Sequence, residues 1–390
     1  MHNALSELGG DGDTLHAMRT AVPSARDERL GRIIRIDRGW STILAAHATD
    51  PGDSRVVRVR NVGADVCVGD WVVLDDADER IEFVAPRRSA LMRRASSDDM
   101  RAVPQAIASN LDTVILVHAV TSEPNPRRLE RELVLAYDSG ARPVIVLTKC
   151  DAVEPEQAER MRALVADVAV GVPVHLVSAL HGTGLEALHI YGEGRRTIVV
   201  LGASGVGKST LVNALVESST QQTGEVRDGD QRGRHTTVAV TMLRLPAGGW
   251  LIDTPGVRAV SLWTSGHGIE RAFADVFALM DNCRFRDCKH VEEPGCAVRA
   301  AVAAGSIDVA RLESMRRLVA EEAALEEEQR EFERQSVRRV RRTGTRRMAR
   351  TDRIAEEFGD TDTAEEFGDT DTAEEFGDTD NAEEFGDSAT

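Results

Sequence analysis

Residues 197–210 read Thr-Ile-Val-Val-Leu-Gly-Ala-Ser-Gly-Val-Gly-Lys-Ser-Thr. The first five form an apolar, β-branched run of strand length, and the following eight fit Gly-x4-Gly-Lys-Ser. Helical periodicity follows over Lys208–Val216. A strand that passes into a helix through glycines is what a phosphate-binding loop requires. The glycines let backbone N–H groups turn inward, and the helix N-terminus favours negative charge. On this reading Gly202, Ala203, Ser204, Gly205, Val206, Gly207, Lys208, Ser209 and Thr210 surround a nucleotide's phosphates. Lys208 reaches the β and γ phosphates as a catalytic cation, and the Ser209 hydroxyl ligates Mg²⁺.

Downstream, Asp253-Thr-Pro-Gly256 follows the apolar strand Trp250–Ile252. An aspartate there supplies a second hold on Mg²⁺, and the Gly256 N–H senses the γ-phosphate. Between the two motifs lies Gly233-Arg-His-Thr-Thr237, in a polar stretch suited to a first switch segment. Thr236 and Thr237 are both available to close over the γ-phosphate and Mg²⁺; Thr237 is carried as a magnesium ligand beside Ser209 and Asp253. His235 is a catalytic candidate that either orients the attacking water or packs. Position 257 is Val, so a water-positioning glutamine is absent there, and slow intrinsic hydrolysis that a partner stimulates is expected.

Upstream, Thr148-Lys149-Cys150-Asp151 ends the strand Pro143–Leu147, and Ser178-Ala179-Leu180 follows the strand Val174–Val177. A carboxylate can accept from both N1–H and N2–H₂ of guanine, a donor pair that adenine lacks. Asp151 therefore reads the base, Lys149 lies across its plane, and a backbone N–H at Ser178 or Ala179 reaches O6. A kinase or ATPase reading of the phosphate loop predicts ATP competition instead. Thr148 stands where GTPases usually carry Asn, which leaves its side-chain contacts open. The base-reading motifs precede the phosphate-reading ones, the reverse of the ordinary GTPase. A circular permutation explains that order, since the termini of a compact domain often lie close together.

Around this α/β core the chain divides by composition. Residues 1–27 read as a flexible leader. Residues 28–86 hold five short β-type runs (Gly31–Ile36, Ser41–Ala46, Arg55–Val59, Asp70–Asp75 and Ile81–Val84), which suggest a small β-barrel of the OB-fold type that binds RNA. Residues 87–109 carry five arginines by Arg101 and read as an exposed basic linker. The circularly permuted P-loop GTPase domain covers 110–264, a helical zinc-binding module 265–345, and a disordered tail 346–390 ends in four acidic nonapeptides beginning at Ala355. The formal charge of −17 belongs to that tail: its fifteen acidic residues from Ala355 onward, with no Lys or Arg, leave a body near −2. No apolar run is long enough for a membrane span, which points to a cytoplasmic protein.

Three of the five cysteines stand close together in Cys283-x4-Cys288-x-His290-x5-Cys296. Three thiolates and one imidazole complete a tetrahedral set for one structural zinc, leaving no open position for chemistry.

A barrel, a GTPase permuted in this order and Cys-x4-Cys-x-His-x5-Cys together resemble the bacterial small-ribosomal-subunit biogenesis GTPase family, RsgA (also called YjeQ or EngC). The resemblance covers roughly Leu30 to Arg317. Supporting phrases are Gly69-Asp-Trp71, Arg88-Ser-Ala-Leu91, Gln105-Ala-Ile-Ala-Ser-Asn110, Gly233-Arg-His-Thr-Thr237 and Asp253-Thr-Pro-Gly-Val257. It implies a monomer that binds the 30S ribosomal subunit and its 16S rRNA through barrel and zinc module. It further implies ribosome-stimulated GTP hydrolysis late in subunit maturation, with His235 at the family's switch position. The alternative is a nucleotide-dependent rRNA-binding module in which hydrolysis is incidental.

Overall fold

The structure, a computed structural model, describes residues 4–37, 39–47, 54–61, 65–94, 104–217, 240–254, 267–331 and 334. The chain divides into two units, residues 1–328 and 329–390. The acidic nonapeptides, and with them the expected disorder of the tail, lie outside the described residues.

Strands β1 (Leu30–Asp37), β2 (Trp40–Ala46), β3 (Ser54–Arg60), β4 (Trp71–Leu74) and β5 (Ile81–Val84) follow the sequence reading to within two residues at each end. β1 pairs antiparallel with β2 and β4, β2 with β3, and β4 with β5. A parallel bridge between Arg60 and Arg80 joins the end of β3 to the start of β5, so the five strands close on themselves. Alternation with period two sends Ile33, Ile43, Ala45, Val59, Val72 and Leu74 into the enclosed core.

The expected basic linker is instead a hairpin of β6 (Ala90–Arg94) and β7 (Pro104–Ser109). The fully buried Asp70 explains why its approach is pinned. A desolvated carboxylate needs a cation and donors, and Arg87 supplies two bonds of 2.8 Å while the Ser109 hydroxyl donates at 2.6 Å. Gly69 takes φ +98°, and a Cβ there would stand 2.2 Å from the Ser109 carbonyl oxygen, so only glycine allows β7 this close.

The leader also departs from expectation. Helices α1 (Ala4–Glu7) and α2 (Gly12–Ala21) replace a flexible segment, with Leu5, Leu8 and Met18 fully buried. Asp11 caps α2 by accepting from the Thr14 N–H at 2.7 Å. That cap and the spacing of Leu15, Met18 and Val22 are the local signals for the helix.

The α/β region contains β8 (Thr113–Ala119), α3 (Pro126–Asp138), β9 (Arg142–Thr148), α4 (Pro155–Val168), β10 (Val174–Leu176), α5 (Glu186–His189), β11 (Thr197–Gly202), α6 (Lys208–Glu217), β12 (Thr241–Arg244) and β13 (Trp250–Asp253). The sheet order is β10-β9-β8-β11-β13-β12, parallel except for β12. Successive strand residues face opposite layers. Val114, Leu116, Ile145 and Val199 pack with Leu129, Leu133 and Val165 of α3 and α4, whereas Ile115, Val117, Val146 and Val200 pack with Leu211, Val212 and Leu215 of α6. Strands buried on both faces explain the unbroken Val/Ile runs. The strand β12 was not expected. Its short Thr-Met-Leu-Arg run pairs with β13 on one side and, at Thr241, with Arg35 of β1 on the other, so the α/β sheet continues into the barrel.

Arg32 secures that junction. It is fully buried, and its guanidinium donates to the carbonyls of Gly69, Leu8 and Asn110 and to the Thr197 hydroxyl, at 2.8–3.2 Å. Burial pushes it down to about 9, with Asp112 opposing the fall. It therefore stays charged at neutral pH, held by oxygens of the barrel, the leader and the first residue of the phosphate-loop strand. The remaining helices are α7 (His267–Ala272), α8 (Ala274–Met280) and α9 (Ala297–Ala303), followed by a charged helix from 309 onward. Arg311 of that helix ties it to Asp275 at 2.6 and 2.7 Å and to Glu130 of α3 at 3.1 Å.

Candidate nucleotide site and metal centre

Because β8, β9, β10, β11 and β13 run parallel, their C-terminal ends share one edge of the sheet, where open α/β sheets bind ligands. Four motifs meet there: Thr148–Asp151 after β9, Ser178–Leu180 after β10, the phosphate loop after β11, and Asp253 at the end of β13. The sheet order puts base-directed and phosphate-directed loops on either side of β8, which the linear order conceals.

The phosphate loop is shaped by its glycines. At Gly202 (φ +153°) a Cβ would lie 2.4 Å from the Val117 carbonyl oxygen, so the strand can turn against β8 only without a side chain. Lys208 folds back over its own loop, its ammonium 2.8 Å from the Gly202 carbonyl oxygen, with the Ala203 carbonyl also accepting. Ser209 and Thr210 are exposed at the start of α6. Asp253 is largely buried, which raises its pKa, and the Lys208 cation partly opposes the rise. Thr254 is anchored by donating its hydroxyl to the Val200 carbonyl at 3.3 Å. His235, Thr236, Thr237 and Gly256 lie outside the described residues.

Thr148 settles the contacts left open by the missing asparagine. Its buried hydroxyl sits between the His118 carbonyl, at 3.0 Å, and the Val206 carbonyl of the phosphate loop, and its single proton serves one of them at a time. Lys149 occupies the left-handed region (φ +61°), and its ammonium donates to the Gly205 carbonyl at 2.8 Å. Both residues thus bind the Thr148–Asp151 loop directly to the Gly202–Ser209 loop. The exposed Asp151 carboxylate accepts from Ser178, which holds it below the usual carboxylate range, and the His181 imidazole lies 3.9 Å away. Ser178 N–H is donated to the Thr183 carbonyl at 2.9 Å. Sequence reasoning missed His181, whose Nδ1 is 3.2 Å from the Ser178 hydroxyl.

On the loop between α8 and α9, Cys283, Cys288, His290 and Cys296 (the N-cap of α9) bring their ligand atoms within 4.8 Å of one another. Sγ of Cys283 and Cys296 are 3.9 Å apart, and His290 Nδ1 is 3.6 and 3.3 Å from them. The loop is held open for this by its own backbone. The Glu293 carboxylate accepts the N–H groups of Lys289, Val291 and Glu292 at 2.8–3.1 Å. Its own backbone N–H first, and then these, bring its pKa down to about 2. The Arg316 guanidinium donates to the His290 carbonyl. Burial lowers the pKa of His290, favouring the neutral imidazole that a metal requires. This donor set can hold a metal ion.

A doubly covered parallel sheet with a phosphate loop, an aspartate strand end and a guanine-type carboxylate loop on one edge defines a P-loop GTPase in circularly permuted order. The family model described as RsgA GTPase matches residues 84–263. A protein of Streptomyces coelicolor named small ribosomal subunit biogenesis GTPase RsgA is 41% identical over 324 residues, 82% of this chain and 87% of that one. The like-named protein of Methanosarcina acetivorans is 44% identical over 267 residues, 67% of this chain and 71% of that one. Among solved structures, YjeQ from Thermotoga maritima superposes with TM-score 0.56 at 26% identity, covering 76% of this chain and 98% of that one. YloQ, described as a circularly permuted GTPase, gives 0.55 at 25% identity, over 76% and 95%. The chain belongs to the RsgA GTPase family, and its activity is GTP hydrolysis.

Proposed function

We propose that this GTPase acts on the small ribosomal subunit during its late maturation, with hydrolysis stimulated by the particle. The observation that carries the reading is the convergence of guanine-directed and phosphate-directed loops on one sheet edge, in a chain whose relatives are named for small-subunit biogenesis. Asp151 reads guanine N1–H and N2–H₂, Lys149 covers the base, and Ala179 N–H meets O6, with Ser178 holding the Asp151 carboxylate. Gly202–Thr210 cradle the phosphates and Lys208 neutralises charge developing on them. Ser209, Thr237 and Asp253 would hold the Mg²⁺ that accompanies GTP and screens its phosphates, while Thr236 and Gly256 contact the γ-phosphate. We read the closed five-stranded sheet, in ring order β1-β2-β3-β5-β4, as an OB-fold that takes 16S rRNA as its surface; the ring order supports the reading. We place the protein in the cytoplasm as a monomer; among the described residues no helix is long and apolar enough to cross a membrane. The test is GTP turnover with and without purified 30S subunits. A clear rise with subunits is expected, and equal turnover would sink the reading.

His235 is assigned to the water-activating step because Val257 leaves no glutamine for it. His235→Ala should lower subunit-stimulated kcat by about 10²–10⁴-fold, the usual contribution of a general base, with GTP affinity unchanged. If the variant still binds 30S subunits but fails to leave them, hydrolysis is the release step. Unaltered kcat would remove His235 from the mechanism and favour a binding module.

The cysteine cluster suits zinc. Tetrahedral Zn–S bonds of ~2.3 Å set sulfur atoms about 3.8 Å apart, and the Cys283–Cys296 separation is 3.9 Å. The role is architectural, since all four positions are protein ligands. Purified protein should carry about one zinc per chain, and Cys296→Ser should lose it and melt earlier through the lost metal, since a serine hydroxyl can still cap α9 by accepting from the Arg299 N–H. Zinc content near zero in wild type, measured by atomic emission, would refute the assignment.

A further inference from the structure

The outer face of β2 and β3 carries an aromatic that no core uses. Along β2 the residues Ser41, Ile43 and Ala45 are buried, while Trp40, Thr42 and Leu44 face outward, only partly covered. Cross-strand register sets Trp40 opposite Arg60, Thr42 opposite Arg58, and Leu44 opposite Val56, which is 67% exposed. Both Arg58 and Arg60 are exposed, and each guanidinium carbon lies 5.2 Å from the centre of the Trp40 ring. Neither arginine has an ion pair among the described residues. The acidic neighbour, Asp37, is opposite Trp40 on β1, and Arg35 neutralises it at 3.1 Å. Trp71 and Trp250, by contrast, are buried at 2% and 4% exposure.

A flat π-surface selects a partner with π-faces to offer, and two unpaired guanidinium groups beside it select a polyanion. Both requirements are met by single-stranded RNA and not by a duplex, whose bases are already stacked. We propose that this face stacks one unpaired base of RNA on Trp40, with Arg58 and Arg60 binding the flanking phosphates. An incoming base takes the place of a guanidinium over the indole, and the displaced guanidinium is then free for a phosphate. The proposal rests on the ribosomal reading above and narrows it from phosphate-backbone contact to an unpaired nucleotide.

The test uses the full chain and two probes, octaadenylate RNA and an eight-base-pair RNA duplex, with binding followed by fluorescence anisotropy over a salt series. Trp40→Ala should weaken octaadenylate binding about tenfold, within the range for one stacked base, and leave the duplex unaffected. Trp40→Phe should retain most of the affinity, showing that the ring and not the fold is responsible. Replacing Arg58 and Arg60 together by Ala should reduce the single-strand salt slope by about 1.4, roughly 0.7 per phosphate contact. Basal GTP turnover should stay the same in all of them. Unchanged octaadenylate binding in Trp40→Ala, or an equal loss on the duplex, would overturn the proposal. If wild-type turnover responds to 30S subunits while Trp40→Ala binds octaadenylate normally, the stacking proposal alone fails. If turnover ignores subunits but the RNA differences stand, only the ribosomal reading fails.

Discussion

Asp151→Asn is expected to lose GTP and gain xanthosine triphosphate. Two bonds from guanine to a carboxylate, at about 1.5–3 kcal/mol each for a charged acceptor, correspond to a fall in GTP affinity of roughly 10²–10⁴-fold. An asparagine presents one acceptor and one donor group instead, a pattern that xanthine's additional carbonyl matches. The position is favourable for a clean result. The residue is exposed, its carboxylate is oriented by Ser178 without being buried by it, and no lysine or arginine pairs with it among the described residues. Folding should be untouched. Titration with GTP, XTP and ATP decides the matter: GTP affinity that survives the substitution, or ATP that competes with GTP in wild type, would show that Asp151 does not read the base.

Lys208→Ala is expected to reduce GTP affinity by about 100-fold or more, from the loss of charge-assisted bonds to the β and γ phosphates, and to abolish turnover. GDP should suffer less, having no γ-phosphate. In the free protein the lysine holds its own loop. Its ammonium donates to the carbonyls of Gly202 and Ala203, both within the loop it belongs to. A second consequence follows from Asp253. Burial already raises that carboxyl, and Lys208 is what restrains it. Without the lysine the carboxyl rises further, so Mg²⁺ binding in the variant should weaken at a higher pH than in wild type as pH falls. Calorimetry with GTP and GDP, and Mg²⁺ titration at several pH values, would show this. Full GTP affinity in the variant would contradict the assignment of the phosphate loop.

Much of the candidate site was legible because its motifs are local. A phosphate loop is built from consecutive backbone N–H groups, so Gly202–Ser209 declares itself within a short stretch, and a metal cluster with short spacings does the same. What was not legible depended on partners distant in the chain. The contact of Thr148 with Val206 and the capture of Arg87 by Asp70 join residues far apart in sequence. The leader's helices are not legible for another reason: its apolar positions are few and its composition polar, yet Leu5, Leu8 and Met18 share one buried core with Leu30, Trp71 and Val73 of the barrel. A segment too poor in apolar residues to fold alone can still dock.

The sequence by itself determined that this protein binds a guanine nucleotide, that its motifs are circularly permuted, and that four residues able to hold one metal ion stand together. Each of these is written in residue type and short spacing, where backbone geometry leaves little freedom. Only the tertiary structure decided which residues share an edge or a face. It set base loop and phosphate loop on either side of β8, put the buried Arg32 between barrel, leader and β11, and aligned Trp40 with Arg58 and Arg60. Strand register and sheet order are long-range choices, settled by burying apolar faces together and by satisfying buried polar groups, and no short stretch of sequence contains them.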